Sequence, residues 1–479
     1  MWNTKKRNVR VEMRVANFAM ENLEERRLLA WGAYDQMMDL DQLVAKYPTI
    51  NGKGVAIADI DSGINFNHPI FSGRIWTNPG EIAGNGIDDD GDGKVDDVHG
   101  WDFVQNDNTP TDDQGHGSYT ASVLVANRWT NTGNSRGYGG DKATYQGVAS
   151  GAKVIPLKVI DGNLQYTVAN VEKALQWVIK NHTRYNIVAV NMSLHVGDAG
   201  NTQINDEMKT LYDAGVFVGA ASGNWGSINN DFAMPAGGAY AMSVGAQDKS
   251  TALAGITCRG SALDIVSPGE GPYPSRTGAE YWYGEAATSF STPSVTAAAA
   301  LLKQINPAFT VPQIQSILRD SGYTVYDPIS KLNYKALDLD NAIALGFSRA
   351  GVKPVTATSL KVQAESATAL GGITRNLSNL GYVDAGDWAQ YKGLNLGSGV
   401  THFAVNIAVA AINAGRQIQI RQGSTTGKIL GTLTVTSTGG YGIFREQSIA
   451  IAGISGVQDI YLTFVGGSGV GNIDYFRLY

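Results

Sequence analysis

The sequence predicts an α/β domain, a mainly parallel sheet with helices on both faces, followed by an all-β jelly-roll sandwich. Three observations carry this expectation. Residues from about 33 to 347 alternate short continuous apolar runs with helical patterns, as in a parallel sheet buried on both faces. An Asp, a His and a Ser occur in that order, each beside small residues and an apolar stretch. Beyond Leu360 the pattern turns to short alternating runs separated by Gly-rich turns, which reads as a sandwich.

Taken in order, residues 1–32 read as a leader. Lys5, Lys6 and Arg7 give a basic start, but no apolar core of a signal peptide follows. Instead the segment from Leu23 to Leu29 resembles the LExRxLL-type tag on some large exported or surface bacterial proteins, which implies a secreted or cell-surface location. Residues 33–347 hold the α/β pattern. VAIADID (55–61), VIPLKVI (154–160), IVAVNMSL (187–194), VFVGAAS (216–222) and AMSVGA (241–246) are buried strands. Between and after them, residues 168–181, 205–215 and 294–305 carry helical periodicity, the second with a glycine stop. Residues 348–358 lack periodicity and read as a linker. Residues 359–479 form the β module, with runs such as THFAVNIAVA, RQIQIRQG, GTLTVTST and DIYLTFVG.

Composition narrows the function classes. The chain has 479 residues, 43% hydrophobic and 17% charged, enough for a large core. A net charge of −6 gives no reason to expect nucleic acid, and no run is long enough to span a membrane. A single cysteine, Cys258, excludes an internal disulfide and reads as a buried small hydrophobe. A monomer is expected.

The reactive residues make a chemical set. Asp61 ends a buried strand, where a carboxylate is costly unless it is hydrogen-bonded or paired. His116 stands between two glycines that let other backbone approach its ring. Ser289 opens an apolar helix, whose N-terminus favours a developing oxyanion. Together they suit acyl transfer, with Ser289 as nucleophile, His116 as base and Asp61 orienting the imidazole. Asn224, in AASGNWG after a strand, is the candidate oxyanion donor. The order Asp, His, Ser differs from the orders of the chymotrypsin and α/β-hydrolase arrangements.

DSG followed by NHP, GHG, NMSL, GVA, AASGN and TSFSTP occur in the order found in subtilisin-like serine peptidases, and residues 33–347 resemble that family. The resemblance implies a subtilisin-like fold and serine endopeptidase activity on protein or peptide substrates. It also implies Asp61, His116 and Ser289 as the triad and Asn224 as oxyanion donor. Ser193 and Leu194, with His195 and Gly223, would lie where substrate backbone adds as a strand. Three departures bear on rate. Ala287 replaces the usual Gly before Thr-Ser, His195 replaces a Gly and is expected to narrow the cleft, and HGSYTAS brings in Tyr119 and Ser122. No long autoprocessed prosegment is expected.

NGIDDDGDGKVDD lies between the Asp and His segments. Asp88, Asp90 and Asp92 alternate and Gly93 follows, the start of a calcium loop. Lys94 would offer its carbonyl and Asp97 would replace the missing terminal glutamate. Calcium there is expected to hold the loop that leads to His116.

In the C-terminal module VQAESA, GYVDAGDWAQY, STGGY and GNIDYFRLY resemble family 6 carbohydrate-binding modules. That implies binding to polysaccharide, with Tyr382 and Tyr441 as stacking faces and Asn472 as a polar contact. It also implies a structural calcium at Gln363, Glu365 and Asp474. Trp388, Tyr391 and Tyr475 read as core.

Overall fold

Strand β1 (Ala56–Asp61) is buried at every position, so its two faces must both be covered. Its period of two decides by what. Ala56, Ala58 and Ile60 pack with Val171, Ala174, Leu175 and Val178, whereas Asp59 and Asp61 point toward the helix that begins at His116. A computed structural model describes residues 33–130, 144–196, 202–274, 281–284, 286–352, 360–376, 379–396 and 400–479. The expected leader with its LExRxLL segment and most of the expected linker fall outside these residues.

The main sheet has nine strands. Besides β1 they are β2 (Trp101–Asp102), β3 (Lys153–Lys158), β4 (Ile187–Met192), β5 (Phe217–Ala221), β6 (Met242–Gln247), β7 (Ile265–Pro268), β8 (Tyr323–Asp327) and β9 (Leu332–Ala336). Their order is β8-β9-β7-β6-β5-β4-β1-β3-β2. Every pairing is parallel except the edge hairpin β8–β9. The direction of winding reverses at β1, which lies between β3 and β4. In open α/β sheets ligands bind outside the carboxyl ends of strands at such a switch point, and Asp61 is the carboxyl end of β1.

Five helices cover this sheet: α1 (His116–Val125), α2 (Val168–Tyr185), α3 (Asn205–Asp213), α4 (Thr288–Ile305) and α5 (Val311–Ser321). Helix α4 runs almost wholly buried from Ser291 to Lys303, which is why its sequence is nearly all small and apolar. It packs on α1 and on β4, β5 and β6, while α2 and α3 pack on each other. A further helix, α6 (Leu339–Ala350), ends on Gly351 with φ 65°. It carries helical structure past residue 347 into the segment read as linker.

The chain divides into two compact units, one of residues 1–44 and 49–354 and the other of residues 45–48 and 355–479. The second is a sandwich of antiparallel sheets. One sheet centres on Asn472–Leu478, flanked by Leu380–Gly381 and Leu360–Gln363 on one side and Val400–Ala408 and Phe444–Ile454 on the other. The other orders Ala369–Gly371, Trp388–Asn395, Val457–Val465, Gln417–Gln422 and Ile429–Thr434. Phe403, Phe476, Tyr391, Ile420, Leu462 and Phe464 fill the space between the sheets. Of the three aromatic residues read as core, Tyr391 is buried, and Trp388 and Tyr475 are half-buried.

Candidate active site

The start of α1 is built to present His116. Gly115 takes φ 109° at the N-cap. Asp112 then substitutes for a capping side chain: its Oδ1 accepts from the Gln114 and Gly115 amides and from Ser62 Oγ, and its Oδ2 accepts from Ser118 N and Oγ. Gly117 is needed for close approach, since a Cβ there would meet Gly63 O at 2.2 Å. The glycines around His116 therefore bring the β1 turn against the helix. Nothing in the local pattern singled out Asp112.

His116 Nδ1 lies 2.8 Å from Asp61 Oδ1 and 3.0 Å from Oδ2. A carboxylate at Nδ1 places the proton there, which leaves Nε2 as the basic nitrogen. Asp61 is buried and its Oδ1 also accepts from Ser62 N at 2.7 Å. Burial of the ring lowers the pKa of His116, but the charge of Asp61 and its hydrogen bond outweigh this and leave it above 6.5.

Ser289 is the second residue of α4. Pro293 has no N–H to give the Ser289 carbonyl, four residues back, and Ser193 Oγ donates to that oxygen at 2.7 Å. Asn224 meets the preceding residue: its Oδ1 accepts from Thr288 N and Thr288 Oγ1, both at 2.9 Å. With Oδ1 so occupied, the amide N of Asn224 is the group left to donate elsewhere. Gly223 donates to Thr288 Oγ1 at 3.3 Å and adopts φ 110° against the Trp225 ring. Asn224, Ser193, Gly223 and Ser289 thus converge on one helix start. His116 joins them through Phe290, ring centroids 5.6 Å apart. Among the described hydrogen bonds none joins Ser289 to His116, and such contacts often close only with substrate bound.

The departures read from the sequence resolve differently. Ala287 is extended (φ −145°, ψ 145°), a conformation any residue adopts, so its Cβ brings no backbone strain. Tyr119 is buried and packs on Phe290 with centroids 3.8 Å apart, backing the residue that touches His116. His195 is exposed and stands edge-on to both Tyr166 and Trp225, at 6.1 Å and 5.8 Å. Leu194 is buried beside it.

In the acidic loop, carboxylate oxygens of Asp88, Asp90 and Asp92 lie within 4.8 Å of one another, and so do those of Glu81, Asp90 and Asp97. Glu81 carries no motif and was missed. Asp97 Oδ2 is buried with no partner. Burial, then the charge of Asp92 and those of Asp90 and Glu81, push its pKa up to about 8 against the lowering effect of Asn78. The Lys94 ammonium sits over the Trp101 and Phe103 rings. The loop is anchored on α2, by Trp177 and Asn181 on Asp92, Tyr185 on Asp90 and Lys180 on the Gly91 carbonyl. Its described contacts do not run to His116, which Asp112 supports instead.

In the second unit Tyr382 is 78% and Tyr441 44% exposed. Asn472 Nδ2 donates to Tyr441 O at 2.9 Å, and its Oδ1 is 3.4 Å from where a Cβ on Gly381, the residue before Tyr382, would lie. Asn413 also bonds the Tyr441 hydroxyl. Gln363 pairs in register with Tyr475, next to Asp474. Glu365 Oε2 is buried and unpartnered, and Asp474 accepts from Asn406 Nδ2 at 2.8 Å.

The model of the subtilase family matches residues 52–344, and that of carbohydrate binding module family 6 matches residues 356–479. Alkaline elastase YaB of Bacillus sp. (strain YaB) is 31% identical over 60% of this chain and 70% of its own length. Subtilisin-like protease 1 of Plasmodium berghei (strain Anka) is 25% identical over 68% of this chain, and the match spans 55% of the Plasmodium protein. The crystal structure of a cold adapted subtilisin-like serine proteinase aligns at 25% identity and TM-score 0.47, over 60% of this chain and 89% of its own. With the Asp, His and Ser segments inside the first matched region and the β-sandwich coincident with the second, the chain belongs to the subtilase family of serine peptidases and carries a family 6 carbohydrate binding module.

Proposed function

We propose that the protein is a secreted or cell-surface endopeptidase that cleaves peptide bonds with Asp61, His116 and Ser289 and is held on polysaccharide by its C-terminal module. The observation that carries the reading is the 2.8 Å contact of His116 Nδ1 with Asp61, which orients the imidazole as a base. Ser289 Oγ attacks the scissile carbonyl carbon while His116 Nε2 takes its proton. Asp61 holds the tautomer and stabilises the imidazolium. Oxyanion charge falls to Asn224 Nδ2 and the Ser289 amide at the helix start. His116 returns the proton to the leaving amine, and water then releases the acyl group by the same steps. Ser193, Leu194, His195 and Gly223 border the channel where substrate backbone aligns.

The acidic loop suits calcium, a hard cation that takes oxygen ligands. A buried carboxylate oxygen without a partner, among four other carboxylates, is what such an ion would satisfy. Two groups that share Asp90, one of Asp88, Asp90 and Asp92 with the Lys94 carbonyl and one of Glu81, Asp90 and Asp97, would hold such a cation and have their repulsion cancelled by it. Gln363, Glu365 and Asp474 form a second candidate calcium site, supported by the orphan Glu365 oxygen. Tyr382 and Tyr441 offer flat faces for sugar rings, with Asn472 as a polar contact beside Tyr441. A casein-type assay of Ser289→Ala beside a polysaccharide pull-down tests both halves. Retained proteolysis sinks the triad reading, and failure to bind any xylan, glucan or agar-type matrix sinks the targeting.

A further inference from the structure

Asp59 is a carboxyl the proposed reaction does not use, buried beside the one it does. It lies on β1 two residues before Asp61, on the same face, and is 3% exposed. Its Oδ2 is 3.0 Å from Thr120 Oγ1, which lies 3.5 Å from Asp61 Oδ2 and 3.0 Å from Gly117 O. Its Oδ1 accepts from Asn191 Nδ2 at 2.8 Å. The same amide reaches Ser193 Oγ at 3.1 Å, and Ser193 donates to the Ser289 carbonyl. Two hydrogen-bonded chains therefore leave one carboxyl. One ends at Asp61 and the other at the backbone of Ser289.

Resting on the triad reading above, we propose that Asp59 is a positioning residue. In its neutral form it donates through Thr120 toward Asp61, accepts from Asn191, and so sets the spacing of the two arms of the site. The donor count favours the neutral form. The Thr120 hydroxyl has one proton and faces three acceptors. If Asp59 were ionised, two carboxylates would compete for that proton in a buried space. If Asp59 carries a proton, its O–H donates to Thr120 Oγ1 and the hydroxyl proton turns to Asp61 or Gly117 O.

The surroundings agree. Burial and the charge of Asp61 raise the Asp59 carboxyl well above the usual carboxylate range, against the opposing pull of Asn191, Thr120 and His116. Its neighbour on β3 is Pro156. Lys158, level with Asp61, spends its ammonium on Asp102, Asp113 and Thr111 O. From β4 it faces Asn191, and α4 adds Thr296, bonded to Asn191. The His116 ring is engaged by Asp61, and Asp112 is engaged by Ser62, Gln114, Gly115 and Ser118.

The test compares kcat, KM and the pH profile of the full chain for Asp59→Asn, Thr120→Val, Thr120→Ser and Ser289→Ala on a peptide substrate. Asn offers an N–H where the neutral carboxyl offers its O–H, so Asp59→Asn should hold kcat within about threefold and leave the acid limb of kcat/KM in place. Thr120→Val removes the relay and should cut kcat by about 10- to 100-fold at unchanged KM, the scale of a lost hydrogen bond to a charged group. Thr120→Ser should recover most of that. A downward move of the acid limb in Asp59→Asn would show a charged Asp59 and overturn the proposal, as would wild-type kcat in Thr120→Val. Activity surviving in Ser289→Ala would instead overturn the triad reading beneath it.

Discussion

Without a cation in the acidic loop, stability should fall as pH rises, and Asp97 says by how much. Its carboxyl, fully buried, is raised from 3.8 to about 8 by burial first and then by Asp92, Asp90 and Glu81. A pKa raised on folding gives stability that is present below the unfolded value and lost as pH climbs through the folded one. The window is therefore from about pH 4 to about pH 8, at about 1.4 kcal/mol per pH unit. The cost at its upper end is on the order of 5 kcal/mol, or about 10 °C in Tm for a domain of this size. A bound cation cancels it. The assay is calorimetric unfolding of wild type and Asp97→Asn, in EDTA and in calcium, from about pH 5 to about pH 8.5. Asp97→Asn keeps an acceptor for Asn78 but cannot ionise. In EDTA its Tm should exceed that of wild type by a margin that widens with pH, and calcium should raise only wild type strongly. A margin that stays constant with pH, or wild type equally stable in EDTA and calcium at about pH 8.5, would refute the reasoning.

Other outcomes follow from single contacts. Asn224→Ala should lower kcat by about 100- to 1,000-fold, the scale of losing one oxyanion-hole donor, with KM little changed in steady-state assays. The acid limb of kcat/KM should lie above pH 6.5, because Asp61 raises His116 against its burial; a limb below that value contradicts the contact. Arg259, buried and paired with Asp327 at 2.9 Å, should cost about 3–5 kcal/mol on Arg259→Ala in urea unfolding, since the partner charge is left unpaired. Tyr382→Ala with Tyr441→Ala should abolish retention on the matching polysaccharide while leaving hydrolysis of a soluble peptide unchanged.

The fold was legible because its signals are local. Continuous apolar runs such as IVAVNM, interrupted by amphipathic helices, admit little besides a doubly covered parallel sheet. The candidate reactive residues were legible from their local settings: Asp61 at a buried strand end, where a carboxylate is costly without a partner, His116 between glycines and Ser289 at an apolar helix start. What escaped was set by tertiary approach. Glu81 reaches Asp90 and Asp97 only after the loop folds back, and Asp112 caps a helix it does not belong to. Asp59 looked like one more strand residue until Thr120 and Asn191 met it from two other elements. The loop's docking on α2 could not be read either, since Trp177, Asn181 and Tyr185 share a helix face with ordinary core residues. Ala287 shows the reverse: a departure in sequence that the extended backbone accommodates without strain.

The most direct test of the account is covalent labelling of the full chain with a serine-directed fluorophosphonate, followed by peptide mass mapping. The account predicts a single adduct on Ser289, its rate falling at acid pH with the protonation of His116, and no adduct in Ser289→Ala or His116→Ala. Stoichiometric labelling at another residue, or peptide hydrolysis that persists in Ser289→Ala, would contradict it.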